Sequence, residues 1–331
     1  MRWTVIQTAF LGDVVLTLPL LNAIVEQWHD SEIQFIARPE AANVIETAPG
    51  IADVVIYDKR GNDSAFGGWW RIKNRIQNFH PEIVLCPHRS ARSVLLAGFS
   101  GANKRIGYHT AAPVPGLTTR VPYRGNTHET ARLLDLLQPL NGKQGTPTLP
   151  RLQLTEHDRA VAENSVGTHE RTVAIAPGAV WNTKRYPVER FSEAAKTLSE
   201  SGFSIVTIGG NADIGLCEFV ATSSGGISLA GKLSPRESAA VISRCQLLIT
   251  NDSAPLHLAQ AVGTPTLAIF GATIPEFGFG PQGQYDRVLG IDISCRPCAI
   301  HGGPKCPQKH FRCMLDLQPE LVAKTAIDML L

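Results

Sequence analysis

The sequence lacks the features that mark several simple classes of protein. Its net charge is only +2, with 31 Lys and Arg against 29 Asp and Glu, so no chain-wide basic field indicates a nucleic-acid partner. No run of about 18 apolar residues is present. The apolar segment after Arg2 is interrupted by Gln7 and Asp13, which argues against a signal peptide. We therefore expect a soluble, cytoplasmic protein.

A dinucleotide-binding glycine motif is also missing. Such a loop needs three glycines at GxGxxG spacing after the first strand. The turn after the first predicted strand has one glycine, Gly12. This absence disfavours a nicotinamide-dependent enzyme.

Cysteine is scarce and odd in number, at seven residues. Cys86, Cys217 and Cys245 stand singly in apolar segments, where a reduced thiol behaves as a small apolar side chain. A disulfide framework is therefore not expected. The remaining cysteines lie close together near the end of the chain, at Cys295, Cys298, Cys306 and Cys313. They suggest a structural zinc more than disulfides, but their spacing is not the standard pair of CxxC motifs, so packed metal-free thiols remain the alternative.

What is present is enough apolar material for two domains. The chain has 331 residues, of which 44% are hydrophobic, and domains usually have about 150 residues. The first half predicts strands at residues 1–8, 33–37, 54–57 and 83–86, a further strand with long loops in 104–123, and helices at 13–28, 41–47, 69–79, 91–99 and 128–137. This alternation is typical of a parallel sheet covered by helices on both faces.

The second half repeats this alternation after a segment rich in Gly, Pro and Thr at residues 141–150. It predicts strands at residues 173–176, 204–208, 247–250 and 266–270, and helices at 188–199, 214–222, 235–243, 254–262 and 319–331. We predict an α/β protein of two doubly wound domains, residues 1–155 and 156–331, with the terminal helix able to cross back between them. Ligands of such sheets bind at the carboxyl ends of the strands, so a crevice between the domains is the expected active site.

The first candidate site is the turn after the first strand. There Asp13 opens a helix, and the helix dipole favours an ionised carboxylate that accepts a proton. The simpler interpretation is that Asp13 caps the helix, which is among the commonest roles of Asp at that position.

The second candidate site is the loop at residues 176–187. Backbone amides near Gly178, the Thr183 hydroxyl and the Lys184 ammonium can together hold a phosphate in front of the following helix. A solvated basic loop is the alternative.

The third candidate site follows the predicted strand at residues 247–250. Asp252, Ser253 and His257 suggest a Ser-His-Asp hydrolase, but Ser253 lacks the glycine-flanked nucleophile elbow of such enzymes. We favour Asp252 and Ser253 as helix caps whose polar groups line the phosphate or ribose of a ligand.

Taken together, these motifs resemble the bacterial heptosyltransferases of lipopolysaccharide core synthesis, glycosyltransferase family 9, a branch of the inverting GT-B glycosyltransferases. The motifs, which span nearly the whole chain, are Val5-Ile6-Gln7-Thr8 with Gly12-Asp13-Val14, Pro177-Gly178 with Lys184-Arg185-Tyr186-Pro187, Gly209-Gly210, Leu229-Ala230-Gly231, Thr250-Asn251-Asp252-Ser253 with His257, Gly263-Thr264-Pro265 and Phe270-Gly271. The four-cysteine pattern is also similar to that of many members. The resemblance implies two Rossmann-like domains facing each other across a cleft, with the acceptor bound by the first and the nucleotide sugar by the second.

The resemblance also implies a mechanism. Asp13 would be the general base that takes a proton from the acceptor hydroxyl as its oxygen attacks the anomeric carbon, opposite the departing ADP. Lys184 would stabilise the charge that grows on the leaving diphosphate in place of a metal ion, so neither a metal nor another cofactor is expected. The implied donor-binding residues are Gly178, Thr183, Lys184, Leu233, Asp252, Ser253, Ala254 and His257, and the implied acceptor-binding residues are Gly12, Asp13, Arg89 and Arg92.

Two positions depart from the family pattern. Ala254 stands where the family commonly has Gly, which alters how closely the backbone approaches a phosphate. The family's acidic residue after the Gly-Gly strand would be Asp213, but the register is ambiguous, so Asp213 is not among the predicted site residues.

The implied partners are ADP-heptose and a lipopolysaccharide inner-core lipid, with Kdo or the first heptose as the acceptor sugar. We expect a monomer that associates transiently with the inner face of the inner membrane. Acceptor choice is assigned to the loops at residues 60–68 and 88–92; Arg89, Arg92 and Lys104 either meet acceptor anions or form a solvated basic face. Another nucleotide sugar, a nucleotide-sugar epimerase and a non-catalytic nucleotide- or glycan-binding protein remain as alternatives.

Overall fold

Each half of the chain forms a parallel sheet of six strands. The structure, a computed structural model, describes residues 1–59, 61–167 and 171–331. It divides into two compact units, Met1–Gln153 and Leu154–Leu331. The predicted boundary between residues 155 and 156 lies two residues beyond this division.

The first unit alternates strands and helices. Its strands are β1 (Arg2–Ile6), β2 (Glu32–Ala37), β3 (Ile51–Ile56), β4 (Ile83–Cys86), β5 (Lys104–Tyr108) and β6 (Thr119–Val121). Its helices are α1 (Leu11–Leu16), α2 (Leu18–Gln27), α3 (Ala42–Ile45), α4 (Phe66–Phe79), α5 (Ala91–Gly98), α6 (Glu129–Asp135) and α7 (Gln138–Asn141). The strand order is β3-β2-β1-β4-β5-β6, and every pairing is parallel.

The second unit repeats this topology. Its strands are β7 (Thr172–Ala176), β8 (Ser204–Thr207), β9 (Ile227–Ser228), β10 (Leu247–Asn251), β11 (Thr266–Ile269) and β12 (Arg287–Leu289). Its helices are α8 (Glu156–Val166), α9 (Val188–Glu200), α10 (Ile214–Ser224), α11 (Pro235–Ser243), α12 (Ala254–Val262), α13 (Arg312–Leu315) and α14 (Pro319–Leu330). The strand order is β12-β11-β10-β7-β8-β9, again parallel throughout.

Burial explains why the central strands could be predicted from the sequence. Every residue of β4, β7 and β10 is buried, as expected for parallel strands covered on both faces. The two-residue β9 and the largely exposed β12 lie at the edges of the second sheet. The sequence analysis missed both because they have no apolar run.

Helix positions agree with the predictions except in four places, of which two are the short helices α7 and α13, which were not predicted. The single helix predicted over residues 13–28 is wrong, because the chain breaks between α1 and α2 at Thr17. Pro19 causes the break, since it has no N–H and its ring would clash with the carbonyl one turn earlier in a continuous helix. Helix α8 was not predicted, although its start has a capping box in which Thr155 and Asp158 exchange hydrogen bonds.

The terminal helix belongs to the core of the second unit. Val322, Ala323 and Ala326 of α14 are buried together with Phe191 of α9 and Tyr186. The Tyr186 hydroxyl donates to the carbonyl of Leu317 at 2.9 Å, which ties the chain before α14 to this core.

A buried arginine connects α6 to the loop that precedes it. The Arg132 side chain is 2% exposed and its Nη1 lies 2.9 Å from Glu129 Oε2. Its guanidinium also donates to the carbonyls of Arg124 and Gly125 at 2.6 and 2.7 Å. All these groups are satisfied internally, so the ion pair is tolerated out of water.

Replacing Arg132 by Met should destabilise the first unit strongly. The change leaves the Glu129 carboxylate buried without its cation, which costs about 3–5 kcal/mol. Urea unfolding followed by circular dichroism measures the loss. Lys196→Met is the control, because Lys196 and Glu200 are 65% and 66% exposed and 3.9 Å apart, and an exposed pair contributes at most about 1 kcal/mol. Equal unfolding midpoints for the two variants would contradict this account.

Candidate functional site

The topology places one candidate site in each unit. Strand β1 lies between β2 and β4, and β7 lies between β8 and β10. The chain leaves β1 and β4, which are neighbours, in opposite directions, and the same holds for β7 and β10. Each of these pairs therefore has a crevice at its carboxyl ends. Apart from Leu233, which follows β9, and the clustered cysteines, which follow β12, the sequence-predicted site residues follow β1 and β4 in the first unit and β7 and β10 in the second.

In the second unit Asn251 fastens the loop after β7 to the end of β10. Its side-chain amide donates to the Pro177 carbonyl at 2.8 Å, and its amide oxygen accepts the N–H of Tyr186 at 2.9 Å. Asn251 is fully buried. The two ends of the loop are thus fixed to the Asn251 side chain, which brings Lys184 to the end of β10, next to Asp252.

Lys184 and Asp252 form a close, largely buried ion pair. Lys184 Nζ lies 2.6 Å from Asp252 Oδ2, and the two side chains are 15% and 6% exposed. The same oxygen accepts a hydrogen bond from the Thr273 hydroxyl at 2.6 Å. Thr273, which follows β11, was not predicted as a site residue. Only the fold brings it to Asp252.

His257 lies on α12 beside this pair. Burial lowers the pKa of His257 to about 4, although the charge of Asp252 acts in the opposite direction. The imidazole is therefore neutral near pH 7. Its Nδ1 lies 3.4 Å from Gln260 Oε1.

The hydrolase interpretation is wrong for this site, and of the capping prediction only the N-cap position of Ser253 is confirmed. The Ser253 hydroxyl lies 3.4 Å from the Asn251 carbonyl and from the Thr250 hydroxyl, so it is not paired with His257. Ser253 occupies the N-cap position of α12, but its side chain makes no cap hydrogen bond. The Asp252 carboxylate is used by Lys184 and Thr273 instead. Ala254 is the first residue of α12.

A long loop without regular structure, residues 290–311, supports the lysine from its other side. We call this segment the cysteine loop. The N–H of Gly303 donates to the Thr183 hydroxyl at 2.8 Å, and the N–H of Thr183 donates to the Gly303 carbonyl at 3.1 Å. At Gly302 the φ angle is +77°, and an added Cβ would lie 3.1 Å from Lys184 Cγ. The positive φ favours glycine there, and the space beside Lys184 is tight for any side chain.

The cysteine loop also contacts the segment that carries Thr273. Arg296 Nη2 donates to the Thr273 carbonyl at 3.1 Å. The N–H of Cys298 donates to the Ala272 carbonyl at 2.9 Å. One loop therefore holds both Thr183 and Thr273 in place around the Lys184–Asp252 pair.

Gly178 identifies a residue that the sequence analysis left out. A Cβ built on Gly178 would lie 2.2 Å from an oxygen of the Asp213 carboxylate. Asp213 also accepts the N–H of Gly210 at 3.1 Å. The Gly-Gly strand end pointed to Asp213 in the sequence, and only the ambiguous register kept it out of the predicted site. Leu233 is half-buried in the turn before α11, and its nucleoside contact stays a prediction.

In the first unit Asp13 lies in the first turn of α1. The N-cap of this helix is Phe10, and Asp13 is three residues further on, so the interpretation of Asp13 as the N-cap is wrong. Its Oδ2 accepts the N–H of Phe10 at 3.2 Å, which orients the carboxylate at the helix N-terminus. Gly12 is buried in the same turn.

Cations from three strand ends surround the same edge of the first sheet. Arg38 follows β2, Lys59 follows β3, and Arg89 follows β4. Lys59 Nζ donates to the Thr8 carbonyl at 2.6 Å, and the Arg38 guanidinium lies 5.3 Å from the centre of the Phe10 ring. We call Arg38, Lys59, Arg89 and Arg92 the basic cluster. Arg60, at the start of the predicted 60–68 loop, lies outside the described residues.

His88 is kept neutral within the basic cluster. Its Nδ1 lies 3.0 Å from the Thr8 hydroxyl and 2.8 Å from the Ser93 hydroxyl. Burial, followed by the positive charges of Lys59, Arg89 and Arg38, lowers the pKa of His88 to about 3. The net charge of the cluster near neutral pH therefore comes from its Lys and Arg side chains.

Arg89 and Arg92 are held differently. Arg89 lies 4.5 Å from the centre of the Tyr123 ring, and the opposed Arg132 lies 4.6 Å from it. Arg92, in the first turn of α5, lies with Nη1 3.5 Å from the Lys59 carbonyl and is exposed. Lys104 is exposed at the start of β5, at the opposite end of that strand from the basic cluster.

The four clustered cysteines do not form a metal centre here. Within the described residues no group of three or more His, Cys, Asp or Glu side chains is placed to hold a metal ion. All four thiols are free, and Cys295 Sγ lies 3.9 Å from His310 Nε2. The arrangement of the described side chains therefore gives the zinc hypothesis no support.

In the described part of the chain, no helix is both long enough and apolar enough to cross a bilayer.

Comparison with known proteins agrees with this architecture. The crystal structure of a family 9 glycosyl transferase from Veillonella parvula superposes with a TM-score of 0.86 at 25% identity, covering 99% of this chain and 97% of that one. The Escherichia coli ADP-heptose LPS heptosyltransferase II superposes with a TM-score of 0.81 at 19% identity, covering 100% and 98%. The fold is therefore that of the GT-B glycosyltransferases, as predicted.

Sequence comparison identifies the family. The sequence profile of glycosyltransferase family 9 (heptosyltransferase) matches residues 69–305. Lipopolysaccharide heptosyltransferase 1 of Pseudomonas aeruginosa is 26% identical, over 97% of this chain and 92% of that protein. The chain belongs to glycosyltransferase family 9, the heptosyltransferases, and is a glycosyltransferase. The predicted family is confirmed.

Replacing His88 by Gln should make stability depend less on pH. The pKa of His88 is about 3 in the folded chain against an ordinary 6.5, so the unfolded chain takes up the proton first as the pH falls. The contribution of neutral His88 to the free energy of unfolding is thus fully present above pH 6.5. As the pH falls below 6.5, this contribution is lost by up to about 1.4 kcal/mol per pH unit. Urea unfolding at about pH 7.5 and about pH 5.5 measures the slope. The exposed His80→Gln is the control, and identical slopes in both variants would refute the assignment.

Proposed function

We propose that the protein transfers L-glycero-D-manno-heptose from ADP-heptose to the lipopolysaccharide inner core, with inversion and without a metal ion. The observation that carries the proposal is the Lys184–Asp252 pair at the switch point of the second sheet, 2.6 Å apart, in a chain of the heptosyltransferase family. The names of its relatives include ADP-heptose and lipopolysaccharide, which supports this donor and this acceptor class.

The second unit would bind the donor. Lys184 gives the crevice a cation, and the first N–H groups of α12, near Ala254, face the same strand end, where a helix N-terminus attracts anions. Thr183 accepts the N–H of Gly303 and keeps its own hydroxyl proton free to donate to a phosphate oxygen. Gly178, Ser253, His257 and Leu233 would complete the donor site.

Lys184 would act mainly on the leaving group. As the bond from the anomeric carbon to the phosphate oxygen breaks, its electron pair passes to that oxygen and negative charge grows on the diphosphate of ADP. A preoriented ammonium stabilises this charge more in the transition state than in the ground state. Asp252 and Thr273 hold the lysine in place before the donor arrives.

Asp13 would be the general base on the acceptor side. The acceptor hydroxyl oxygen forms the new bond to the anomeric carbon from the face opposite ADP, and its proton passes to the Asp13 carboxylate. The Phe10 N–H donates to Oδ2 of this carboxylate at 3.2 Å and so orients the group for the role. Gly12, buried beside it, would let the acceptor approach this turn.

The basic cluster would bind the anionic groups of the acceptor. Arg89 and Arg92 present guanidinium groups, which suit carboxylates and phosphates, and Lys59 and Arg38 add charge. The acceptor sugar is Kdo or the first heptose. We further propose that the protein acts as a monomer on the cytoplasmic face of the inner membrane, where its lipid acceptor lies.

The proposed function is tested by product analysis. Purified protein with ADP-heptose and either Kdo-lipid A or Kdo-lipid A that carries the first heptose should yield heptosylated lipid and ADP, with unchanged turnover after EDTA treatment. Consumption of ADP-heptose without acceptor would indicate an epimerase, and ADP binding without transfer to either acceptor would indicate a non-catalytic protein. Either result would overturn the proposal.

Asp13→Asn should lower kcat by about 10²- to 10⁴-fold, the usual contribution of general base catalysis. The amide keeps an oxygen that can accept the Phe10 N–H, so the fold and ADP binding should be retained. Initial rates of heptose transfer and ADP titration calorimetry measure the two effects. A variant with the turnover of the parent would exclude Asp13 as the base.

Lys184→Met should weaken ADP binding and lower kcat by about 10²-fold or more, because a donor to the developing charge is removed. It also leaves Asp252 buried without its cation, so the Lys184→Met/Asp252→Asn double variant serves to separate loss of stability from loss of catalysis. The double variant should recover stability but not turnover. Lys196→Met, an exposed lysine of the same unit, should behave as the parent; recovery of turnover in the double variant would contradict the role of Lys184.

A further inference from the structure

Helix α4 presents an unusual combination of aromatic and basic residues to solvent. Its sequence, FGGWWRIKNRIQNF, has three basic residues and no acidic residue. Ile72 and Ile76 are fully buried in the first unit, which fixes the helix on its sheet. The opposite side bears Trp70, 40% exposed.

A second element extends this aromatic surface. Phe99, which follows α5, is 50% exposed. The half-buried Trp69 connects the two, with ring centroids 5.6 Å from Trp70 and 5.5 Å from Phe99. The Gln77 amide donates to the Phe99 carbonyl at 2.8 Å, so α4 and the end of α5 are joined. We call Trp69, Trp70 and Phe99, with Lys73, the aromatic patch.

Helix α4 also brings positive charge to the aromatic patch. Lys73 Nζ lies 4.6 Å from the centre of the Trp70 ring. Arg71 and Arg75 pair with Asp63 and Asp53, yet their side chains remain 51% and 53% exposed. Large aromatic rings beside Lys and Arg on a surface helix are typical of segments that lie in the headgroup region of a bilayer, where rings enter the boundary and cations meet anionic lipids.

The aromatic patch is connected to the proposed acceptor site. Trp69 Nε1 donates to the Arg92 carbonyl at 3.5 Å, and Arg92 in turn reaches the Lys59 carbonyl. We propose that the aromatic patch docks the first unit on an anionic lipid bilayer, so that a lipid-anchored acceptor meets the basic cluster from the membrane. The benefit to a lipid-anchored acceptor rests on the proposed function. Bilayer binding itself does not, since it is measured without donor or acceptor.

Vesicle co-sedimentation tests the patch directly. The protein should bind vesicles of phosphatidylethanolamine with phosphatidylglycerol, bind phosphatidylcholine vesicles more weakly, and lose part of its binding at high salt. The Trp70→Ala/Phe99→Ala double variant should bind at least about tenfold more weakly, and Lys73→Gln about fivefold more weakly. All these side chains are at least partly exposed, so folding should be retained and is checked by circular dichroism.

Matched controls come from the second unit. Phe219, also 50% exposed, and Lys196, 65% exposed, are replaced by Ala and Gln, and neither change should alter vesicle binding. Absence of vesicle binding by the parent, or equal losses in patch and control variants, would overturn the proposal.

Two other outcomes would assign the patch to a different partner. A dimer in sedimentation velocity that the double variant dissolves would identify a second copy of this chain. An equal loss of transfer to Kdo-lipid A and to its deacylated glycan would identify a glycan contact. The bilayer assignment requires that transfer to the vesicle-embedded lipid falls while transfer to the deacylated glycan is retained.

Discussion

A buried carboxylate sets the arrangement of the second unit. Asp252 is 5% exposed, and a charge so far from water needs a cation and hydrogen-bond donors close by. Lys184 supplies the cation and Thr273 the donor. Each of these residues belongs to a different connection of the sheet, so the one carboxylate draws the loops after β7 and β11 to the end of β10. The cysteine loop then contacts both of these connections.

In the first unit the site has an excess of positive charge rather than a buried carboxylate. Several cations lie around the carboxyl ends of β1 to β4. His88 lies among them and is neutral near neutral pH. The pKa of His88 falls to about 3, with burial as the first cause. Its ring is left as a neutral hydrogen-bond partner of Thr8 and Ser93. The lysine and arginine charges remain near the turn that carries Asp13, as binding of the proposed anionic acceptor requires.

Much of the architecture could be predicted because local patterns were strong. The buried strands are short apolar runs, and most helices have regular apolar spacing, so the doubly wound topology followed from their alternation. The errors have identifiable causes. Pro19 signals the helix break at Thr17, but the regular apolar spacing around it favoured one continuous helix in the sequence analysis. The edge strands β9 and β12 lacked apolar runs because an edge strand is half solvated.

By itself, the sequence determined the fold class, the family, and which strand ends carry polar residues, because these properties depend on local spacing along the chain. Only the tertiary structure decided which of those polar residues meet. Thr273 is 21 residues from Asp252, Gly303 is 120 residues from Thr183, and Trp69 is 23 residues from Arg92. No local pattern links such pairs. Thr273 and Asp252 meet because parallel strands bring their carboxyl ends to one edge, where the buried charge of Asp252 needs partners. The other two pairs meet because the cysteine loop packs against the loop after β7 and because α4 packs against α5.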